Sequence, residues 1–227
     1  MNDLKAKLNE VRARIASACQ KADRNPDSLS LLAVSKRHGA NSIRALFIAG
    51  QRHFGENYLQ EALKKQQELA DLDVIWHFIG PLQSNKTRDV AMHFHWVQSV
   101  DRQKLLRRLS EQRPDDMPPL NICLQVNIDA EPQKAGASAD EIPALAQLAS
   151  SLPGLRLRGL MAIPAVTASG ETNPQSLARM KTLFDSLQDQ GYPLDTLSMG
   201  MSADLEAAIL AGSTMVRIGT DLFGPRD

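Results

Sequence analysis

The sequence predicts an α/β protein of the (β/α)8 barrel class, with an extra helix at the N-terminus. Eight short apolar segments have the pattern of strands, and a helical segment separates each of them from the next. Strands that alternate with helices in this way pair in parallel through crossover connections. The length of 227 residues also suits this class, since a (β/α)8 barrel commonly contains about 250 residues.

The elements follow one another in a regular order. The first helix is predicted over 1–22, where apolar residues recur at helical spacing at Leu4, Leu8, Val11 and Ile15. The strands are predicted to begin at Leu29, His53, Val74, His95, Leu120, Leu155, Thr196 and Ser213. The helices between them are predicted over 41–49, 58–69, 84–92, 101–111, 139–151, 174–190 and 203–211.

Two architectures fit this alternation, a closed barrel and an open doubly wound sheet. The end of the chain favours the barrel. The sequence stops soon after the eighth strand with no final helix, and the extra N-terminal helix could cover the gap that this leaves. No linker, low-complexity tract or repeat interrupts the chain, so we expect one domain over 1–227.

Composition excludes several classes of protein. Apolar residues make up 43% of the chain and charged residues 23%, which is typical of a folded globular protein. Lys and Arg together number 26, as do Asp and Glu, so the basic excess of a general nucleic-acid binder is absent. No apolar stretch approaches the roughly 18 residues of a membrane span, and the charged first helix does not resemble a secretory signal. We therefore expect a cytoplasmic protein.

The cysteines and histidines show no metal-binding spacing. Cys19 and Cys123 lie far apart, and no CxxC or paired His/Cys pattern is present. Two reduced thiols fit a cytoplasmic protein, although one disulfide is arithmetically possible. His93 and His95 have no third ligand beside them in the sequence, so we expect no metal site.

Polar and small residues collect at the predicted C-terminal ends of the strands. That face of a parallel barrel is the one that binds ligands. The residues are Lys36 after strand one, Glu56 and Asn57 after strand two, His77 in strand three, the segment 198–202 (SMGMS) after strand seven, and Arg217, Gly219 and Thr220 in and after strand eight.

Lys36 follows an apolar strand directly, so its side chain would start inside the barrel mouth. Removing an ammonium from water lowers its pKa and makes the amine nucleophilic toward aldehydes. The alternative is a lysine whose stem lies along the strand end and whose ammonium reaches water. The pair Lys64 and Lys65, by contrast, is predicted to lie on a solvated helix face.

Arg217 stands between Val216 and Ile218 in an apolar strand. A buried guanidinium requires partners, because an unpaired buried charge is very costly. Two interpretations remain open. Arg217 either forms a structural ion pair, with Asp204 or Glu56, or donates hydrogen bonds to a ligand.

The loops after strands seven and eight are candidates for a phosphate site, which this fold commonly places there. Gly219 would allow the backbone to approach a ligand closely, and Thr220 adds a hydroxyl and an N–H group. Ser202 is predicted to cap a helix that begins near Ala203. The alternative is that Gly219 and Gly224 only shape a turn.

Several long motifs follow one another along the chain: LLAVSK (31–36), FGENYLQEALKK (54–65), WHFIGPLQSNK (76–86), QVNI (125–128), LRGLMAI (157–163), LSMGMSADLEAAI (197–209) and GSTMVRIGTDLFG (212–224). Over roughly residues 10–225, the sequence resembles the YggS/PROSC family of pyridoxal phosphate homeostasis proteins. The resemblance implies an alanine-racemase-like barrel that carries pyridoxal 5′-phosphate (PLP) as a Schiff base.

The resemblance also implies roles for individual residues. By motif, Lys36 is the Schiff-base lysine, Arg217 lies near the pyridine nitrogen, and Asn57 lies near the cofactor ring. The SMGMS and RIGT segments contribute further cofactor-binding residues, here Met199, Ser202, Gly219 and Thr220. The loop around Lys134 reads DAEPQKAG and departs from the family pattern, so no role is carried over to it.

The residues and the resemblance together favour a PLP carrier over a catalyst. Arginine only donates hydrogen bonds, so Arg217 beside the ring nitrogen would disfavour its protonation and weaken the ring as an electron sink. We expect a monomer without efficient activity that buffers PLP and delivers it to apo-forms of PLP-dependent enzymes. The alternatives are a PLP-dependent amino-acid racemase or lyase, for which Tyr58 is the candidate second base, and a cofactor-free Schiff-base aldolase.

Overall fold

The computed structural model describes residues 2–165 and 172–224. Eight parallel strands form a closed barrel in which each strand pairs with the next and β8 pairs with β1. The closed order confirms the predicted (β/α)8 barrel and excludes the open sheet. The strands are β1 (Ser30–Val34), β2 (His53–Glu56), β3 (Ile75–Phe78), β4 (Trp96–Val100), β5 (Leu120–Val126), β6 (Leu155–Ala162), β7 (Thr196–Ser198) and β8 (Met215–Ile218).

Helices surround the barrel and connect its strands. They are α1 (Asn2–Lys21), α2 (Ala40–Ile48), α3 (Leu59–Glu68), α4 (Thr87–His93), α5 (Gln103–Gln112), α6 (Ile142–Ser151), α7 (Pro174–Asp189), α8 (Leu205–Leu210) and α9 (Thr220–Phe223). The predicted helices at 84–92 and 139–151 begin with a 3-10 turn, over Ser84–Lys86 and Ala139–Glu141.

The N-terminal helix fills the place of a full eighth crossover helix. The expectation of no final helix is wrong, because α9 follows β8, but α9 has only four residues. Helix α1 packs against α2, α8 and α9 and buries Leu8, Val11 and Ile15 of its predicted apolar face. The predicted role of the extra helix in covering the gap is therefore confirmed.

Most of the hydrophobic core lies between the barrel and the helices, whereas the barrel interior is partly polar. The interior holds a small apolar cluster of Trp96, Cys123 and Met161. It also holds four fully or almost fully buried polar residues, His77, Gln98, Ser198 and Arg217. Buried polar groups are costly unless they form hydrogen bonds, so this interior requires an explanation beyond packing.

Both cysteines, Cys19 and Cys123, are buried free thiols, as the sequence predicts. Burial raises the pKa of the Cys123 thiol to about 12, so it is a neutral packing group. Among the helices of the described residues, none has both the length and the apolar character needed to cross a membrane.

Candidate functional site

A cavity of about 280 Å³ opens at the C-terminal ends of the strands. Its walls include six of the residues singled out from the sequence, Lys36, Asn57, Ser202, Arg217, Gly219 and Thr220. The other walls are mostly apolar side chains, among them Val34, Ile79, Met161 and Ile163. Larger concavities lie elsewhere on the surface, but they do not bring these polar groups together. The cavity at the barrel mouth is therefore the candidate site.

Several sequence candidates do not line this cavity, among them Glu56, Met199 and His77. Met199 is fully buried in the core outside the barrel, because it follows Ser198 and so points to the opposite face of the chain. His77 lies within the barrel interior, also fully buried, and does not line the cavity.

Lys36 stands two residues beyond the end of β1 and is half-buried. Ser35, the residue before it, is held by a cluster of ion-paired side chains that includes Glu56 and Lys65. The Ser35 hydroxyl donates to Glu56 Oε1 at 2.6 Å, and Lys65 Nζ donates to the Ser35 carbonyl at 2.8 Å. These bonds fix the backbone from which the Lys36 side chain projects.

Lys65 completes this cluster and is not the solvated residue that the sequence predicted. Its Nζ lies 2.7 Å from Glu56 Oε1 and 2.6 Å from Glu61 Oε1, and only 5% of the residue is exposed. Glu56 has no exposed surface, and its burial raises the pKa of the carboxyl despite the opposing effect of Lys65. The cluster therefore depends on Lys65 to keep a buried carboxylate paired.

Asn57 presents an unsatisfied group at the site. Its amide Oδ1 is buried and has no hydrogen-bond partner within the part of the chain that the structure describes. Gly80 packs so closely against the Asn57 backbone that a Cβ on it would overlap the Asn57 carbonyl oxygen. Residue 57 is thus held in place while its side chain lacks a donor, which a bound molecule could supply.

Arg217 is held by three hydrogen bonds inside the barrel. Its Nη1 donates to the Ser198 carbonyl and hydroxyl, and its Nη2 donates to the Ala162 carbonyl, each at 2.7 Å. Of the two interpretations left open for Arg217, the ion pair with Asp204 or Glu56 does not form among the described residues. Asp204 accepts from Thr172 and from the Met201 backbone, and Glu56 pairs with Lys65.

Burial lowers the pKa of Arg217 to about 10, which leaves the guanidinium charged at neutral pH. Arginine carries five N–H hydrogens. Within residues 2–165 and 172–224, Nε–H and one hydrogen of Nη2 have no acceptor. A cation with spare donors therefore faces the cavity.

The loop after β7 takes its shape from Gly200. This residue has a φ of +98°, and a Cβ on it would come within 2.5 Å of the Ala208 Cβ. Helix α8 begins at Leu205, so the prediction that Ser202 caps it is wrong, and Asp204 occupies the cap position instead. The Ser202 hydroxyl has no hydrogen-bond partner among the described residues and remains available to a ligand.

Arg14 of α1 ties this loop to the one after β8, and sequence reasoning missed it. Its guanidinium donates to the Ser202 carbonyl at 3.0 Å, to Glu206 at 2.7 Å and to Asp221 at 2.5 Å. The hydrogen bond with Glu206 raises the pKa of Arg14. No local signal could have found this contact, because Arg14 and its partners lie about 190–210 residues apart in the sequence.

A second cavity, of about 260 Å³, adjoins the first and shares Asn57, Ile79 and Ile163 with it. Lys134 lines this second cavity and forms an ion pair with Glu131. No group of three His, Cys, Asp or Glu side chains in the described ranges could hold a metal ion. Gln125 and Asn127 also line this second cavity, but both donate to backbone carbonyls of the loop that contains Lys134, so its polar groups are already bonded within the chain.

Comparison with known proteins agrees with this geometry. Residues 6–227 match the family described as "Alanine racemase, N-terminal domain". The pyridoxal phosphate homeostasis protein of Pseudomonas aeruginosa is 57% identical over 227 residues, which cover all of this chain and 97% of that protein. The protein of the same name from Escherichia coli K12 is 48% identical over 230 residues, covering 100% and 98%.

A solved structure shows the same architecture. PipY of Synechococcus elongatus, determined with PLP bound, superimposes with a TM-score of 0.80 and is 38% identical. The match covers 97% of this chain and 100% of the PipY chain. With this coverage and identity, the chain belongs to the family of pyridoxal phosphate homeostasis proteins, within the alanine racemase N-terminal domain family.

Proposed function

We propose that this chain binds PLP in the cavity at the barrel mouth and acts in PLP homeostasis as a non-catalytic carrier. One observation carries the proposal: an amine, a spare hydroxyl, an unsatisfied amide oxygen and a donor-rich cation line the same cavity, on Lys36, Ser202, Asn57 and Arg217. PLP is an aldehyde with a phosphate and a pyridine ring, so its groups match this set. PipY, which binds PLP, supports the assignment.

Lys36 supplies the amine that would hold the aldehyde carbon as a Schiff base. The phosphate would lie against the loops after β7 and β8, where Ser202, Gly219 and Thr220 line the cavity. Hydrogen bonds to a phosphate are charge-assisted and stronger than neutral ones. Arg14 holds both loops and supports this cradle from outside.

Arg217 supports a carrier function over catalysis. When bound, PLP supplies an electron sink, and its strength depends on the partner of the ring nitrogen. Arg217 donates hydrogen bonds and accepts none, so it favours an unprotonated ring nitrogen. Because Arg217 cannot accept a hydrogen bond from a protonated ring nitrogen, the bound ring would stabilise a substrate carbanion only weakly.

The described walls of the cavity also offer no second base. No Tyr, His, Cys, Asp or Glu is found among the described residues that line it. Tyr58, the candidate base, is 47% exposed at the start of α3 and lies outside the cavity lining. A general base must lie within about 3 Å of the proton that it removes. These observations disfavour a racemase or lyase.

The remaining parts of the proposal concern the state of the protein in the cell. We propose one domain over 1–227 that is a monomer, because the closed barrel leaves no unpaired strand edge to recruit a second copy. The two free buried thiols favour a cytoplasmic location. Analytical ultracentrifugation would measure the oligomeric state and so test the proposed monomer. The recipients of PLP would be apo-forms of PLP-dependent enzymes.

The direct test joins spectroscopy to chemical mapping. PLP added to the protein should give the visible absorbance of a Schiff base, and borohydride reduction should place the pyridoxyl group on Lys36. Lys36→Ala should abolish this absorbance, and Lys64→Ala, on an exposed helical face, should keep it. A pyridoxyl group on another lysine would refute the assignment.

Turnover separates a carrier from an enzyme. The loaded protein should show no racemisation, decarboxylation or keto-acid release on a panel of L- and D-amino acids. Turnover of about 1 s⁻¹ or more, an ordinary enzyme rate, would contradict the carrier function. Reactivation of apo-enzymes should be faster than spontaneous PLP loss allows, and its absence would refute direct delivery.

A further inference from the structure

A hydrogen-bonded chain of five side chains runs through the barrel interior. It joins His53 Nδ1 to His77 Nε2 at 2.9 Å and His77 Nδ1 to Gln98 Nε2 at 3.0 Å. The Ser198 hydroxyl then joins Gln98 Oε1 and Arg217 Nη1, at 2.7 Å each. We call these five residues the interior chain. It leads from the start of β2 to the cavity at the opposite end of the barrel.

Arg217 fixes the direction of every bond in the interior chain. A guanidinium only donates, so the Ser198 hydroxyl oxygen accepts from it. The hydroxyl hydrogen then goes to Gln98 Oε1. The amino group of Gln98 consequently faces His77 Nδ1 and the sulfur of Met215, which lies 3.1 Å away. Both of its hydrogens are used, and the amide has one orientation.

The same logic sets the tautomer of His77. His77 Nδ1 accepts from Gln98, so its hydrogen is on Nε2 and is donated to His53 Nδ1. A neutral His77 agrees with its surroundings. Full burial lowers its pKa well below the usual value, and the nearby His53, His95 and Arg158 lower it further. Arg158 is itself paired with Asp195 at 2.6 Å.

We propose that Gln98 and His77 are positioning residues that hold the Ser198 hydroxyl as an acceptor for Arg217 and so fix the guanidinium toward the ring of the cofactor. This inference rests on the proposed PLP site. Barrel interiors are usually filled with bulky branched apolar residues. Three fully buried polar side chains in a row, His77, Gln98 and Ser198, would be a costly way to fill space alone.

The first test needs no PLP. Long-range ¹H–¹⁵N NMR of the cofactor-free protein at neutral pH should show His77 neutral, with its hydrogen on Nε2. A Gln98→Glu variant replaces the amino donor with an acceptor, so His77 Nδ1 should become protonated. A hydrogen on Nδ1 of His77 in the wild-type protein would overturn the direction of the interior chain.

The second test separates positioning from general damage. PLP should be compared with an analogue in which the ring nitrogen is replaced by C–H, which offers Arg217 no acceptor. Wild-type protein should prefer PLP by about tenfold, the usual value of one charge-assisted hydrogen bond. Gln98→Leu should remove most of this preference, whereas a simple packing defect would weaken both ligands equally.

Gln51→Leu is the matched control. Gln51 is also buried, and its amide donates to the backbone carbonyls of Leu31 and His53, so it bonds to no side chain of the interior chain. This variant should keep the preference for PLP over the analogue. If Gln98→Leu kept the full wild-type preference for PLP over the analogue, the proposed role of Gln98 in positioning Arg217 would be overturned. Failure of wild-type protein to bind either ligand would instead refute the proposed PLP site and leave the NMR result standing.

Discussion

Arg14 Nη2 lies 3.0 Å from the carbonyl oxygen of Ser202, so the first helix is bonded directly to a loop of the candidate site. The same guanidinium binds Glu206 at the start of α8 and Asp221 in α9. One side chain of α1 thus connects the loop after β7, helix α8 and helix α9. Helix α1 therefore does more than cover the barrel from outside, because it also supports the surface that is proposed to bind phosphate.

Arg14→Ala should weaken PLP binding through the loss of this support. We expect about a tenfold rise in the Kd for PLP, a loss equivalent to one charge-assisted hydrogen bond. Binding of pyridoxal, which lacks the phosphate, should change little. Absorbance titrations with both ligands measure the difference. Arg12→Ala is the control, because Arg12 lies on the same helix and, within the described part of the chain, donates only to the Ala49 and Gly50 carbonyls. An equal loss for both ligands would contradict the prediction.

Lys65→Met should destabilise the fold strongly. It leaves the fully buried Glu56 without its cation, and breaking a buried pair in this way typically costs about 3–5 kcal/mol. Urea unfolding measures the change, and Lys64→Met is the control, since the 4.0 Å pair of Lys64 with Glu68 is exposed. Adding Glu56→Gln to Lys65→Met should recover part of the loss. If Lys65→Met alone were as stable as Lys64→Met, the role assigned to Lys65 would be refuted.

The order of the barrel and the location of the site follow from local sequence patterns. Apolar strands alternate with helices, and in a parallel barrel every strand end meets at one mouth, which brought Lys36, Asn57 and Arg217 together. The burial of Lys65 escaped such reasoning because it depends on packing against the distant residues Glu56 and Ser35. Met199 is a different case, since its assignment followed from the motif alone. The alternation of side chains along the strand turns it into the core.

Acidification should destabilise the protein through His77. Burial lowers its pKa well below 6.5, so below pH 6.5 the unfolded chain takes up a proton that the folded chain does not. The free energy of unfolding should fall as the pH drops from 7 to 5. His77→Asn should reduce this slope by up to about 1.4 kcal/mol per pH unit.

Urea unfolding at several pH values measures this slope, with exposed His93→Asn as the control. The buried Glu56 has a raised pKa and acts in the opposite direction, because the folded form takes up its proton first on acidification. Both variants keep Glu56, so its effect cancels in the comparison. Equal slopes in His77→Asn and the wild-type protein would contradict a neutral His77.

The phosphate of PLP should account for a large part of its affinity. The Ser202 hydroxyl lines the cavity with no partner among the described residues, beside Gly219 and Thr220. A hydrogen bond to a charged group contributes about 1.5–3 kcal/mol, so Ser202→Ala should raise the Kd for PLP roughly tenfold to a hundredfold. The affinity for pyridoxal should change less in this variant, because pyridoxal carries a neutral hydroxymethyl group where PLP carries the charged phosphate, and a hydrogen bond to a neutral group contributes less. Ser17→Ala, on the exposed face of α1, is the control and should leave both affinities unchanged. Equal affinity of the wild-type protein for PLP and pyridoxal would show that the loops after β7 and β8 do not hold the phosphate.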